Sequence, residues 1–216
     1  MRKYLLLVGW AFFALAAPVA EAAGTSTMVL SVAGDVVVEN FGKASRLQPF
    51  SRLLDGDRVK LGSDGKLTVV YVGSGRQESW SGAGVIAAGE EQSTVVAGAP
   101  KGEAKQLPKQ VAQQMARTPL ADSTGKAGMV RMRALATPEA MAALEQKYQE
   151  LRSQAAPDDR SPEVFLLAGL FEKSAYDRLE EELTRLEKAY PGDQSILALA
   201  SIYGKAVSDA RQAAKH

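Results

Sequence analysis

The chain has 216 residues, 46% of them hydrophobic and 24% charged, with a formal net charge of +1, a balance that fits one or two small globular domains and excludes a disordered or collagen-like chain. Cysteine is absent and the single histidine is the terminal His216, which removes Cys nucleophiles, Cys or His zinc sites, His-based triads and disulfide frameworks. A charge so close to zero creates no overall field toward nucleic acid or a membrane surface, and no nucleic-acid partner is expected.

The first segment reads as a signal peptide over residues 1–22. Arg2 and Lys3 precede an apolar run from Tyr4 to Ala17, followed by Pro18 and the small-residue pattern Ala20-Glu21-Ala22. The run is 14 residues long, short of the ~20 a helix needs to cross a bilayer, and no later run is long enough to span. The alternative is an anchor that is never cleaved. Cleavage after Ala22 leaves 194 residues with 24 basic and 24 acidic side chains, exported to the periplasm or beyond.

Residues 23–98 read as an all-β domain. Gly24 to Gly98 holds twelve Gly and thirteen Val or Ile, as short strands joined by tight turns require. The expected strands are Met28–Val32, Asp35–Glu39, Arg58–Leu61, Leu67–Val72, Gln77–Trp80, Gly84–Ala87 and Ser93–Ala97. Turn signals fall between them at Gly34-Asp35, Asp55-Gly56, Asp64-Gly65 and Gly73-Ser74-Gly75. This spacing predicts an antiparallel sandwich, barrel or rolled sheet. Gly56 and Gly65 are expected at positive φ, beside aspartates that cap local amides. Calcium held by Asp55, Asp57 and Asp64 is the weaker alternative, because no D-x-[DN]-x-[DN]-G loop is present.

Three stretches of this part, Val32-Ala33-Gly34-Asp35-Val36, Leu53-Leu54-Asp55-Gly56-Asp57-Arg58-Val59 and Leu61-Gly62-Ser63-Asp64-Gly65-Lys66-Leu67, follow one rhythm. A G-x-V strand opens, a G-D turn precedes a strand, and a G-[ST]-[DN]-G turn leads into an apolar strand. In this the segment resembles a FecR-type domain, over about 75 of the 194 residues. It departs from that pattern at Val72-Gly73-Ser74-Gly75, where an acidic-Gly turn is usual, and its Trp80 and Gly82-Ala83-Gly84-Val85 run is looser than the family's last strands. FecR-type regulators relay a signal from an outer-membrane receptor through a membrane span to an anti-sigma region. The resemblance here implies the exported β module only.

Residues 99–136 carry no aromatic residue and seven basic against two acidic side chains. They read as a basic linker, partly ordered, with a short helical piece at Lys109–Arg117 and one more candidate strand at Met129–Leu135. The functional alternative is a basic strap of Lys101, Lys105, Lys109 and Arg117 docked on the acidic C-terminal part.

Residues 137–216 read as all-helical. They hold ten Leu and only four Val or Ile. Met141, Leu144, Tyr148 and Leu151 share one helical face, and Tyr176, Leu179, Leu183 and Leu186 repeat that spacing 35 residues later. A second set, Leu167–Lys173 against Leu199–Lys205, repeats at 32. Two interleaved helix types at this period resemble the ~34-residue unit of tetratricopeptide arrays, in the order B-A-B-A. Thr137 and Ser161, each before Pro-Glu, are expected to cap helices, and Pro191-Gly192-Asp193 to end one helix and start the next.

The expected class is therefore α+β by segment: an all-β antiparallel sandwich or rolled sheet, then an all-α tetratricopeptide-like unit. No P-loop and no G-x-S-x-G elbow is present, and the Glu90-Glu91 and Glu180-Glu181-Glu182 runs read as solvated surface. No enzyme activity, cofactor or metal is expected. The expected function is an exported interaction or scaffold protein of the bacterial envelope. Glu180, Glu181, Arg185 and Lys188 would face another chain, either an envelope protein or a second copy. The alternative is a cell-wall or glycan-binding module holding peptidoglycan saccharide on Tyr71 and Trp80.

Overall fold

The computed structural model describes residues 27–40, 42–119 and 137–214. The signal peptide, the strand expected at Met129–Leu135 and His216 lie outside the described residues. Two antiparallel five-stranded sheets come first. One has the order β10-β7-β6-β1-β4 and the other β3-β2-β5-β8-β9. Their strands are β1 (Thr27–Ala33), β2 (Val36–Asn40), β3 (Lys43–Arg46), β4 (Arg52–Leu53), β5 (Arg58–Leu61), β6 (Lys66–Tyr71), β7 (Arg76–Ser81), β8 (Gly84–Ala87), β9 (Thr94–Gly98) and β10 (Lys101–Gln106). The helices follow: α1 (Lys109–Met115), α2 (Pro138–Gln154), α3 (Ser161–Glu172), α4 (Tyr176–Ala189) and α5 (Gln194–Ala213). The β part followed by a helical part matches the layout expected from composition. Among the described residues no helix is long and apolar enough to cross a membrane.

Burial explains the sheets. In the β3-to-β9 sheet, β5 buries Val59 and Leu61 and exposes Arg58 and Lys60, the period-2 alternation of a sheet with one wet face. The other sheet is covered on both faces. Val29, Leu67, Val69 and Tyr71 point into the sandwich core, whereas Met28, Leu30 and Val70, on the opposite side of the pleat, pack with the helices. The same cluster takes in Leu107, Val111, Ala112 and Met115 and continues through Leu167, Leu179, Ile196 and Tyr203. The molecule is thus three layers, sheet on sheet on helices, with a core shared between the β and helical parts.

That shared core corrects the linker reading. Within the segment expected to be a partly ordered basic linker, the helical piece expected at Lys109–Arg117 is α1, which buries its apolar face, but the residues before it form an unexpected strand: β10 pairs antiparallel with β7 from Lys101–Ser81 to Gln106–Arg76. Leu107, Val111 and Met115 offset the entropy of ordering that the polar composition suggested would win. The strap alternative agrees better with the contacts, since Lys105 pairs with Asp159 and Arg117 with Glu172.

The turns carry a second correction. Gly34 (φ 70°) and Gly56 (φ 85°) are left-handed, but Gly65 is not. Gly65 is needed for space, because a Cβ there would lie 2.8 Å from the Asp35 carbonyl oxygen. The Gly34-Asp35 corner and the Gly62–Gly65 turn pack on each other, with Gly62 N–H donating to the Asp35 carbonyl at 2.8 Å. Asp57, not Asp55, caps its turn by accepting from Leu54 N–H at 2.8 Å.

The helices keep the expected seams. Leu144 and Tyr148 on α2 and Leu179, Leu183 and Leu186 on α4 are buried. Thr137 caps α2 by accepting from Ala140 N–H at 3.2 Å, and Asp193 caps α5 by accepting from Ser195 and Ile196 N–H. Ser161 differs from expectation: it is the first residue of α3, and its own N–H donates to Asp159 Oδ1 at 3.0 Å. Gly169 lets α2 approach, because a Cβ there would lie 2.5 Å from a Leu144 methyl.

Candidate functional site

A groove of about 850 Å³ runs between α2 and α4. Leu166 and Leu170 of α3 form its floor, α2 contributes Glu145, Tyr148, Gln149 and Arg152, and α4 contributes Arg178, Glu181, Glu182 and Arg185. The groove exists because α3 lies behind both helices, its first ten residues all buried. Spacings of three and four along α4 put Arg178, Glu181, Glu182 and Arg185 on one face.

The charges of the groove are paired across it. Arg178 of α4 bonds Glu145 of α2, and the Arg185 guanidinium donates to the Tyr148 hydroxyl at 3.1 Å while bonding Glu182 on its own helix. Glu182 and Tyr148 hold the Arg185 guanidinium firmly charged. Beneath them Glu163, fully buried, accepts from Arg152 on both carboxylate oxygens at 3.2 Å and from the Tyr148 hydroxyl at 3.5 Å. Burial first, and the Glu163 carboxylate second, push the Tyr148 hydroxyl above the usual phenol range.

Of the side chains expected to face a partner, Glu181 and Arg185 line this groove. Glu180 does not, because Arg211 of α5 donates to both its oxygens, at 2.8 and 3.0 Å, and also to Asp177. Lys188 is exposed outside the groove lining. The structure does not bring Tyr71 and Trp80 to a saccharide platform. Tyr71 is 1% exposed, so its ring is core, and burial pushes its hydroxyl up even as that group meets Ser93 Oγ at 2.8 Å. The Trp80 ring packs over Gly102, and its indole N–H donates to Glu78 at 3.1 Å. Glu78, itself buried, also accepts from Arg76 at 2.6 Å and Ser93 N–H at 3.1 Å, so these groups form an internal tie between β7 and the start of β9. Asp57 and Asp64 serve separate turns, and among the described residues no group of three or more His, Asp or Glu could hold a metal ion.

Sequence reasoning missed Glu145, Arg152, Glu163 and Arg178. Glu163 left a signal: a charge inside the first turns of the most apolar of the described helices, far from the one at its end, Glu172, demands a counter-charge within reach. No protein-family model matches the chain, and neither the curated proteins nor the solved structures contain a match to it.

Proposed function

We propose that the chain is an exported, non-catalytic interaction protein of the bacterial cell envelope, released from its signal peptide at Ala22, whose α2/α4 groove receives a segment of a partner envelope protein. One observation carries the reading: an apolar floor lies between two helices bridged by the exposed Arg178–Glu145 ion pair and the part-buried Arg185–Tyr148 hydrogen bond. Exposed ion pairs of this kind are each worth about 0 to 1 kcal/mol. A partner's charged side chain can replace Glu145 at Arg178 at small cost, and its apolar side chain then meets Leu166 and Leu170. The repeat of two helix types and the packing of the Gly34-Asp35 corner on the Gly62–Gly65 turn support a tetratricopeptide-like unit carried by a FecR-like β module. Burial of Tyr71 counts against the glycan-binding alternative.

A photo-crosslinking residue at the groove position Gln149 tests the proposal against the same residue at Lys60, on the outer face of the β3-to-β9 sheet. In intact cells the Gln149 position should give a discrete adduct, lost when Arg178 and Arg185 are both changed to Glu while the circular-dichroism spectrum is kept. Equal labelling from Lys60, or an adduct that survives both changes, rejects the groove. N-terminal sequencing should find Ala23 within two residues of the start. An intact Met1 chain in the cytoplasm rejects export.

A further inference from the structure

The two sheets have four edges, and three are guarded. Strand β4 is only two residues long. Strand β3 carries Lys43 and Arg46 at its ends. Strand β10 carries Lys101, Glu103 and Lys105. The fourth, β9, has none of the charges that natural edges use against strand pairing. No charged residue occurs from Gln92 to Pro100, all five residues of β9 are exposed, and Val95 and Val96 are 49% and 46% exposed. On its inner side β9 pairs with β8, through a bulge at Val96.

We infer that β9 pairs antiparallel with β9 of a second copy, about a two-fold axis at Val96, and that the protein self-associates as a closed dimer through this edge. Charge selects a copy of the same chain. Centred on Val96, self-pairing sets Val96 against Val96, Val95 against Ala97 and Thr94 against Gly98, with no like charges opposed. The same operation on β10, centred on Glu103, would oppose Glu103 to itself and Lys101 to Lys105, and on β3 it would oppose Lys43 to Arg46. The net charge of +1 adds no long-range repulsion between copies. A two-fold contact uses up the edge and closes at two. The bulge increases the local twist and restricts the added pairing to the length of β9 itself. This interface is separate from the α2/α4 groove and does not depend on its ligand.

Sedimentation of the purified protein between about 1 and about 100 μM should show a reversible monomer–dimer equilibrium, with a dissociation constant on the order of 10 μM, as a small interface gives. Val96→Lys and Val96→Glu should each be monomeric over that range with unchanged circular dichroism, and an equimolar mixture of the two should dimerise again. Hydrogen exchange of the unaltered protein provides a reading that needs no variant. Edge amides within Thr94–Gly98 should slow by about fourfold from the dilute to the concentrated end, following the fall in monomer fraction that this dissociation constant gives. A chain that stays monomeric, a dimer untouched by either substitution, a mixture that does not recover, or concentration-dependent protection elsewhere in place of β9 overturns the inference.

Discussion

Phe50 adopts a left-handed backbone, φ 60°, which costs a non-glycine residue about 1 to 2 kcal/mol. It is held there by complete burial of its ring and by its N–H donating to the Val29 carbonyl at 2.8 Å. Phe50→Ala should cost about 3 to 5 kcal/mol, read as an earlier midpoint in urea. Asp159 is the corresponding polar residue. Burial opposes its ionisation, but the hydrogen bonds from Lys105 and Ser161 outweigh that and hold its carboxyl below the usual carboxylate range. A lowered folded pKa means that the contribution is whole above the unfolded value of about 3.9 and fades as pH falls through the folded one. Asp159→Asn should therefore cost about 1 to 3 kcal/mol at neutral pH and flatten the acid limb of the stability profile; an unchanged acid limb would assign that loss to other carboxylates. At this scale the sequence was partly legible. Gly34 and Gly56 stand where Gly-Asp and Asp-Gly pairs announce them, but the reason for Gly65 is a neighbour in space. Tyr71 and Trp80 could not be told from a ligand platform by residue type, because an aromatic on a strand serves core and surface alike.

The elements with strong periodicity were readable, as was the short helix α1, but strand β10 was not. Strand β5 falls at the residues its alternation marks, and the α2 and α4 seams follow from spacings of three and four. Strand β10, Lys-Gly-Glu-Ala-Lys-Gln, has no apolar alternation; it is a strand because β7 offers a ladder, not because its own residues prefer one. Helix α1 is only seven residues long, too short to be stable by itself, and it stands on Val111 and Met115. For α4, Leu183→Asp places a charge in the seam that packs on α3 and α5 and should cost roughly 3 kcal/mol or more. Thermal melts followed by circular dichroism check this, and loss of helix signal without loss of the β signal would show the two parts melting separately.

At the scale of the molecule the two parts are expected to melt together. Removing everything after residue 136 would uncover Met28, Leu30, Phe50 and Val70, all buried against the helices. Such a truncation should bind a hydrophobic dye and aggregate, and a soluble, dye-silent β fragment would contradict the shared core. A clue to that core was present in the sequence. Val69-Val70-Tyr71 and Met28-Val29-Leu30 are unbroken apolar runs, and a strand covered on both faces reads that way. The boundaries at 98 and 136 rest on composition, which reports residue type and not contact, and the change from strand to helix falls at neither, but between Gln106 and Lys109 inside one packed body.

The last helix, α5, lies against the first described strand, β1, and this placement bears on how the chain reaches its fold. Contacts between β1 and α5 close a loop spanning most of the described residues, and closing it must be paid in entropy before burial returns anything. Until α5 has been synthesised and delivered, the β1–β6 face lacks the part of its cover that α5 supplies and the nascent polypeptide keeps an adhesive surface. Completion therefore waits for α5. A chain arriving across a membrane with its N-terminus leading would spend that interval dependent on a holding chaperone, and the lag should lengthen when α5 is weakened and not when β9 is.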